Sequence, residues 1–552
     1  MDMNQWRKFQ QGFVFDTSLG MAVDFSRAGV DRDFLEEMSV AMGRCYDELA
    51  ELEAGAIANP DENRQVGHYW LRAPALAASP EMTQEIEQTL KGMEDFVQAV
   101  HAGRIQGQRG HSFKYVLLIG IGGSSLGPQF VADALGYPNQ PLKAYFINNT
   151  DPDGIDRVLD EVAGYLDQTL VVVISKSGGT VETRNGMIEV RGAYAERGLD
   201  FAKHAVAVTQ VGSMLDEVRK QEAWLAAFPM WDWVGGRTSL LSAVGLLPLG
   251  LLGVDVQQLL EGARLCDVWT RERVTENNPS ALLALSWYKA TGGQGGGQMV
   301  VLPYKDRLEL VGKYLQQLVM ESLGKELDRD GRRVHQGLTV LGNKGSTDQH
   351  SYVQQLLDGP NNFVAVFIEV LLDRAGSSAV MAEESTAGDY LQAFRLGTRE
   401  ALSQRGRSSL TILLEKVDAL RVGALIALFE RAVTFYASLV NINAYHQPAV
   451  ELGKRSAGEI IGLKNDVVHY LKDHAHEDFS VEELVKALGC EGAEEMVFSL
   501  LWRLSYNAQS GICVVKGAAV SGEEASAQDE IAHNTDAPGD IWARRYRCVR
   551  EL

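Results

Sequence analysis

One carboxyl group in this chain has neighbours that could tune it for proton transfer. Glu321 follows Gln317 by four residues within residues 314–325, so a helix there places both side chains on one face, among largely apolar flanking residues. Apolar surroundings raise the pKa of a carboxyl group, which suits a general base that works near neutral pH. The alternative is a solvated glutamate, or one paired with Lys325 at the i, i+4 position. Glu321 is therefore a candidate base.

A histidine lies where a second proton-transfer group could act. Residues 345–350, Gly-Ser-Thr-Asp-Gln-His, follow a predicted strand and open a predicted helix, with Ser346, Thr347 or Asp348 as its cap. His350 would then lie in the first helical turn, where the positive end of the helix dipole keeps an imidazole neutral and able to shuttle a proton. A plain surface histidine is the alternative at this position.

Three further polar residues lie next to strongly apolar helices. Arg237 follows two glycines just ahead of such a helix, where a poorly hydrated guanidinium group could stabilise a developing oxyanion. The alternative is a structural arginine at the helix end. Gln447 and Lys454 come just after a long apolar helix, where a lone lysine is normally a surface residue. None of these three residues by itself is strong evidence for a catalytic or binding site.

Two turns rich in glycine and hydroxyl residues could hold an anion. Each follows an apolar run of strand length and precedes a helical pattern; the first contains Gly120-Ile-Gly-Gly-Ser124 and the second Ser175-Lys-Ser-Gly-Gly-Thr180. Backbone N–H groups, hydroxyl groups and a helix dipole would then point at one spot, which favours a phosphate. The alternative is that the glycines only let strand and helix pack closely.

Neither turn matches a nucleotide-binding motif. The first lacks the third glycine of a dinucleotide fingerprint, and its spacing from Gly122 to Gly127 leads to Pro128 instead of the Lys-Ser/Thr of a P-loop. The two turns therefore predict a phosphorylated small molecule without a nucleotide, held between neighbouring strand ends.

The composition is that of a globular protein, and its charge argues against some partners. The chain is 45% hydrophobic and 23% charged, and its length of 552 residues predicts roughly two to four domains. A net charge of −21 argues against non-specific nucleic-acid binding, because no basic surplus neutralises phosphates. The most apolar stretch, residues 240–252, is too short to cross a bilayer. Five widely spaced cysteines without a CxxC pair, and an N-terminal segment without a secretory pattern, predict a cytoplasmic protein without disulfides or a zinc site.

The hydrophobic periodicity predicts an α/β protein with two tandem units of parallel sheet between helical ends. The predicted domains are a mostly helical segment over 1–95, α/β units over 96–291 and 298–465, and a helical appendage over 466–552 with a disordered tail at 520–540. The predicted strands are 115–120, 143–148, 169–175, 204–209, 298–303, 337–342, 363–369 and 511–516. The predicted later helices are about 308–324, 348–358, 380–402, 419–440, 479–488 and 493–504.

As a set, the motifs resemble one known family. They are Gly120-Ile-Gly-Gly-Ser124, Ser175-Lys-Ser-Gly-Gly-Thr180, Val234-Gly-Gly-Arg237, Met320-Glu-Ser-Leu-Gly-Lys325, Asp348-Gln-His350 and Tyr445-His-Gln-Pro-Ala-Val-Glu-Leu-Gly-Lys454, preceded by Asn59-Pro-Asp-Glu-Asn-Arg64 and His68. In this order, over residues 59–454, they resemble the glucose-6-phosphate isomerase family, also called phosphoglucose isomerase.

The resemblance implies two tandem sugar-isomerase (SIS) domains, each a parallel sheet flanked by helices, with the active site between them. It implies interconversion of glucose 6-phosphate and fructose 6-phosphate through a cis-enediolate, without metal or redox cofactor. It also implies a homo-oligomer, usually a dimer that shares a histidine across its interface. The implied roles are base for Glu321, enediolate stabilisation for Arg237, ring opening for His350 and Lys454, substrate contact for Gln317 and Gln447, and phosphate binding for Ser124, Ser175, Ser177 and Thr180 with the backbone of Gly123 and Lys176.

Four positions depart from the commoner pattern of that family and leave the substrate preference open: Ser125, Ser177, Thr238 and Leu323. One alternative function is therefore the isomerisation of another sugar phosphate. A second is a non-catalytic sugar-phosphate sensor. The retained Glu321 counts against a sensor, because a sensor needs a phosphate site but no base.

Overall fold

The computed structural model describes residues 3–475, 477–515 and 541–549. The chain divides into two compact units, Met1–His446 and Gln447–Leu552. Both large sheets lie in the first unit, and the second unit begins ahead of residue 466, the predicted start of the appendage.

The strands of the described residues, numbered along the chain, are β1 (Phe13–Asp16), β2 (Met21–Arg27), β3 (Tyr115–Ile119), β4 (Lys143–Ile147), β5 (Thr169–Ile174), β6 (Ala205–Thr209), β7 (Ala226–Pro229), β8 (Gly297–Pro303), β9 (Lys325–Leu327), β10 (Arg333–Gln336), β11 (Leu338–Leu341), β12 (Phe363–Val370), β13 (Ser409–Leu414), β14 (Ile512–Val515) and β15 (Arg545–Cys548). The α-helices are α1 (Met3–Gln11), α2 (Arg32–Glu53), α3 (Pro80–His101), α4 (Leu126–Leu135), α5 (Pro152–Val162), α6 (Val181–Glu196), α7 (Met214–Gln221), α8 (Ala243–Leu251), α9 (Val256–Thr270), α10 (Pro279–Thr291), α11 (Val311–Leu315), α12 (Val353–Asp358), α13 (Ala387–Gln404), α14 (Ala419–Leu439), α15 (Pro448–Asp473), α16 (Val481–Leu488) and α17 (Glu494–Ser505).

The first sheet is wholly parallel, as the strand–helix alternation predicts. Its order is β4-β3-β5-β6-β7. Every residue of β5 is buried, because its side chains point alternately to the two faces of the sheet and helices cover both faces. The four predicted strands are confirmed, and the short edge strand β7 was not predicted. Since the chain runs from β3 to β4 on one side and to β5 on the other, the strand order reverses at β3, which is where ligands bind in open α/β sheets.

The second sheet corrects two predictions. Its order is β1-β2-β13-β12-β8-β11, with β8, β11, β12 and β13 parallel and the N-terminal hairpin of β1 and β2 antiparallel at one edge. The sheet is therefore mixed, and the N-terminal segment is not mostly helical over its first 30 residues. The hairpin was missed because its pairing partner, β13, lies almost 390 residues further along the chain.

In the predicted α/β unit over 298–465, the observed helices begin later or are more interrupted than the sequence pattern predicts. Residues 348–358 form a 3₁₀ turn, Thr347–His350, followed by α12, and the helix predicted from residue 380 begins at Ala387 with Thr386 as a capping-box residue. The prediction for 419–440 is confirmed by α14. Among the described residues, α14 alone is long and apolar enough to cross a bilayer, and 89% of its most apolar window is buried inside the structure, as in a core helix.

Six charged side chains form an ion cluster in the first unit, and four of them are buried: Arg72, Asp267, Glu430 and Arg431. Arg72 binds Asp267 through two hydrogen bonds, at 2.7 and 2.8 Å, and also donates to Glu430. Arg431 bridges Asp267 and Glu53, and Glu53 is in turn held by Arg271. Three positive and three negative groups thus neutralise each other, the condition under which a protein core accepts charge.

The second unit has its own small core. It contains α15, α16, α17 and the antiparallel pair β14–β15, and its buried side chains include Leu484, Leu501 and Tyr546. The predicted strand at 511–516 is confirmed as β14 within the described residues, and both predicted short helices are confirmed. The predicted disordered tail, residues 520–540, lies outside the described residues.

Candidate active site

The two predicted phosphate turns follow the neighbouring strands β3 and β5. The first continues as a 3₁₀ turn over Gly122–Ser124 before α4, and the second leads into α6 with Thr180 as N-cap residue. The Ser175 hydroxyl donates to Thr180 Oγ1 (3.3 Å) and accepts from the Gly178 N–H (3.1 Å). Hydroxyl groups, backbone N–H groups and the start of a helix thus converge, an arrangement suited to binding an oxyanion.

A close backbone approach joins the first turn to the loop that carries Arg237. A Cβ atom on Gly123 would lie 1.9 Å from the carbonyl oxygen of Gly236, so this contact requires glycine. Gly122 has a φ of +59°, and a Cβ atom there would lie 3.1 Å from Gln317 Nε2. The turn that contains Gly123 therefore contacts both the arginine loop and the segment that carries Gln317.

Lys176 connects the second turn to the same loop. Its Nζ atom donates to the carbonyl oxygens of Asp232 and Val234, each at 3.2 Å, and lies 3.7 Å from Asp232 Oδ1. Burial lowers the pKa of Lys176, although the Asp232 carboxylate opposes this effect. The ammonium group thus ties the turn to the arginine loop, while the neighbouring Ser177 is exposed.

Gln317 and Glu321 lie on a π-helical segment, which corrects the prediction of one regular helix over 308–324. The π-helix spans Gln316–Glu321 and directly follows α11. Its hydrogen bonds run between residues five apart, and its wider turn keeps residues 317 and 321 on one face. Single π-helical turns inside helices occur frequently at functional sites.

Arg237 lies beside the carboxylate of Glu321. Its Nε atom is 3.6 Å from Glu321 Oε2, and its Nη2 atom donates to the carbonyl oxygen of His446 (3.3 Å). The arginine side chain is 4% exposed and the glutamate side chain 25% exposed. Burial lowers the pKa of Arg237, and the charge of Glu321 opposes this effect. The Glu321 carboxylate therefore faces a guanidinium group on one side, whereas its flanking residues suggested an apolar surface.

Lys325 binds the backbone next to Glu321, which differs from the side-chain pair considered as an alternative. Its Nζ atom donates to the carbonyl oxygens of Glu321 and Ser322, each at 2.8 Å, and the residue is 6% exposed. Burial lowers the pKa of Lys325 to about 7; Arg237 adds to this effect and Glu321 opposes it. Sequence reasoning assigned Lys325 no role, although a lysine four residues after a candidate base was a visible signal.

The N-terminal motif lies against the loop that follows α14. Asn443 Nδ2 donates to Asn59 Oδ1 (3.0 Å), and His446 Nε2 lies 3.5 Å from Asp61 Oδ2. Burial lowers the pKa of His446, while Asp61 opposes this effect. The sequence offered no local signal for the contact between His446 and Asp61, because about 385 residues separate them.

His350 is exposed and lies outside this group of contacts. It ends the 3₁₀ turn Thr347–His350, which the buried Asp348 anchors by accepting from the Asn343 N–H (3.1 Å) and the Tyr352 hydroxyl (2.7 Å). The neighbouring Gln349 donates to the carbonyl oxygen of Phe394 (3.0 Å). The structure therefore presents His350 at the surface of the first unit.

Gln447 and Lys454 belong to the second unit. Gln447 precedes α15 as its N-cap residue. Lys454 lies on α15 with its side chain 64% exposed and its Nζ atom 2.8 Å from Glu451 Oε1. Of the predicted site residues, the first unit brings together Gly123, Lys176, Arg237, Gln317 and Glu321.

Comparisons with known proteins agree with this architecture. The chain matches the phosphoglucose isomerase family over residues 24–384 and 376–478. It is 59% identical to the glucose-6-phosphate isomerase of Desulfitobacterium hafniense (strain DSM 10664 / DCB-2) over 515 residues, covering 93% of this chain and 97% of that protein. It is 55% identical to the enzyme of the same name from Geobacter sp. (strain M21), covering 92% and 96% of the two chains.

A solved structure shares the fold over most of the chain. The crystal structure of a glucose-6-phosphate isomerase from Chlamydia trachomatis aligns with a TM-score of 0.75 at 28% identity, covering 83% of this chain and 91% of that one. The family match, the identity to relatives over nearly their whole length and the shared fold confirm the resemblance seen in the motifs. The chain belongs to the phosphoglucose isomerase family.

Proposed function

We propose that this protein interconverts glucose 6-phosphate and fructose 6-phosphate. The single observation that carries the proposal is the pair formed by Arg237 and Glu321, 3.6 Å apart and next to the glycine turn that follows β3. An aldose–ketose isomerase needs one base on one face of an enediol and an electrophile for the developing oxyanion. The relatives that carry the name glucose-6-phosphate isomerase over almost this whole chain support the same substrate pair.

The proposed chemistry moves one proton between two carbon atoms of the open-chain sugar. Glu321 removes the proton from C2 of the aldose, and the electron pair forms a C1–C2 double bond while the carbonyl oxygen on C1 becomes an enediolate oxygen. Arg237 stabilises that oxyanion, because its guanidinium group stays cationic at neutral pH. Glu321 then returns the proton to C1. The enediolate oxygen on C1 takes up a proton and the C2 hydroxyl group gives one up to become the ketose carbonyl, so no net proton is gained or lost.

The other predicted residues would bind the substrate and open its ring. Ser124, Ser175, Ser177 and Thr180, with the backbone of Gly123 and Lys176, would hold the phosphate; Gln317 and Gln447 would contact the sugar; and His350 and Lys454 would open the ring. The hydroxyl groups that the turn between β5 and α6 places ahead of the N-terminus of α6 support the phosphate assignment.

A coupled assay tests the reaction directly. Purified protein should convert fructose 6-phosphate to glucose 6-phosphate, detected with a linked dehydrogenase, and should do so at the same rate with excess chelator. Pentose phosphates and amino-sugar phosphates should react much more slowly. A preference for one of these would indicate the alternative isomerase, and tight fructose 6-phosphate binding without turnover would indicate a sensor.

The proposal includes a homodimer that shares His350 across its interface, and a cytoplasmic location, which the widely spaced cysteines favour. The exposed His350 supports the dimer, because the neighbouring surface carries large apolar side chains. Tyr390 is 37% and Phe394 45% exposed, and their rings lie 6.4 Å apart. In a twofold dimer, such an apolar surface contacts its own copy and brings residues of each chain to the other.

Mixing two inactive variants tests whether the histidine crosses the interface. We expect Glu321→Gln and His350→Leu proteins, each nearly inactive alone, to regain about a quarter of the wild-type activity after equimolar subunit exchange. Half of the exchanged dimers are mixed, and each mixed dimer has one site with both native residues if His350 comes from the partner. If His350 acts within its own chain, every site keeps one defect and the mixture stays inactive.

A further inference from the structure

We propose that Lys325 is a positioning residue for Glu321: its buried ammonium group holds the end of the π-helix that carries the base. The inference rests on the proposed function, since Glu321 must be the base for its position to matter. It adds a residue that the phosphate turns, the arginine loop and the ring-opening pair do not include.

The backbone around Lys325 explains why its side chain can reach back to the helix. The helix ends at a bond from the Gly324 N–H to the Met320 carbonyl oxygen (2.8 Å), and Lys325 then opens β9, where it pairs with Gln336 of β10. The strand pairing fixes the backbone of Lys325, so its long side chain returns along the helix end it has just left.

The ammonium group satisfies carbonyl oxygens that the end of a helix leaves without a partner inside the helix. Lys325 Nζ donates to the carbonyl oxygens of Glu321 and Ser322, each at 2.8 Å. A cation at this end of a helix is also favoured by the helix dipole. One of the two acceptors is the backbone of the proposed base itself, so Lys325 restrains the atoms from which the Glu321 side chain extends.

Lys325 also adds positive charge near the base. The charged groups that act on it are Arg237 and Glu321, and Lys325 in turn acts on His446. Burial and Arg237 lower the pKa of Lys325 to about 7, so the group is cationic on the acidic side of neutrality. Its positive charge there favours the ionised form of a nearby carboxylate.

The test compares Lys325→Met, Lys325→Gln and Lys325→Arg with wild type. We expect Lys325→Met to lower kcat about 100-fold, the effect of a small displacement of a catalytic group, while KM changes less than threefold. We also expect the acidic limb of kcat/KM against pH to move up by about half a pH unit, less than the 1–3 units of a direct charge contact. Lys325→Arg, which keeps the charge and the donors, should recover at least a tenth of the wild-type kcat.

The controls separate positioning from folding and from the proposed function. Lys313→Met removes an exposed lysine from the preceding helix α11 and should leave kcat and the pH profile unchanged. If Lys325→Met does not fold, Lys325→Gln takes its place, because glutamine carries no charge and its side chain is one bond too short to reach both carbonyl oxygens. Equal loss in all three variants with no shift of the acidic limb, or full activity of Lys325→Gln with the wild-type profile, overturns the inference. An inactive wild-type protein would instead refute the proposed function.

Discussion

Replacing Glu321 by glutamine should lower kcat for both directions of the isomerisation by about 1,000-fold, within the 10²–10⁴-fold range of general acid–base catalysis. Glutamine has nearly the same shape as glutamate and can still accept a hydrogen bond from Arg237, but its amide cannot take up the C2 proton. Substrate binding should therefore change little, with KM within about threefold of wild type. The measurements are the coupled assay and the incorporation of deuterium from solvent at C2, which reports the proton transfer itself.

A neighbouring glutamate provides the matched control. Glu326 lies on β9, is 56% exposed and pairs with Arg333 Nε at 2.9 Å. Glu326→Gln removes the same charge five residues away and should retain the wild-type kcat. If Glu321→Gln keeps more than a tenth of the wild-type kcat and still exchanges the C2 proton, another group is the base and the proposed mechanism is wrong.

Replacing Arg72 by methionine should lower the free energy of unfolding of the first unit by about 3–5 kcal/mol, the effect of removing one member of a buried ion pair. Arg72 is buried with both of its carboxylate partners, Asp267 and Glu430. Asp267 keeps Arg431 at 3.4 Å, but Arg72 is the cation that hydrogen-bonds to Glu430 in the described structure. The variant therefore leaves a buried carboxylate without its counter-ion.

The loss should be larger at pH 8 than at pH 6. Burial already raises the pKa of Glu430 to about 7, against the lowering effect of Arg72. Without Arg72 the folded-state pKa rises further above the unfolded value, so the folded state binds more protons and its stability falls as the pH increases. Urea midpoints followed by tryptophan fluorescence measure this loss, because seven of the nine tryptophans, including the buried Trp70 and Trp287, lie in the first unit.

An exposed ion pair between an arginine and an aspartate is the control for this prediction. Arg273 and Asp47 lie 2.6 Å apart with side chains 57% and 65% exposed. Surface pairs contribute about 0–1 kcal/mol, so Arg273→Met should shift the urea midpoint only slightly and without a dependence on pH. A similarly small shift of the urea midpoint for Arg72→Met would contradict the prediction. It would mean that the cluster rearranges or admits water, so that no buried carboxylate is left without a counter-ion.

The main features of the fold follow from local pattern. The apolar runs of β3, β5, β8 and β12 are long enough for buried strands, and each is followed by turn residues and a helical period. These signals extend over only a few residues, so the sequence predicts them without knowledge of the rest of the chain. The same holds for the two turns, whose glycine and hydroxyl residues are adjacent in sequence and remain adjacent in the structure.

The motifs alone also identified the family, because six ordered segments keep the residue types that the reaction uses. Their mutual arrangement was not readable in the same way. The 1.9 Å approach that forbids a Cβ atom on Gly123, the contact of Arg237 with Glu321 and the pair of His446 with Asp61 all join segments more than 80 residues apart. Such contacts depend on how strands and helices pack, and a local pattern contains no information about them.

The sequence by itself therefore determined which residues are available for chemistry and which local elements carry them. Only the tertiary structure decided that the N-terminal hairpin completes the second sheet, that a π-helix carries Glu321, and that Lys325 turns back onto that helix. The physical reason is the range of the interactions. Strand and turn propensities act between neighbours along the chain, whereas burial, ion pairing and sheet completion depend on groups that only folding brings together.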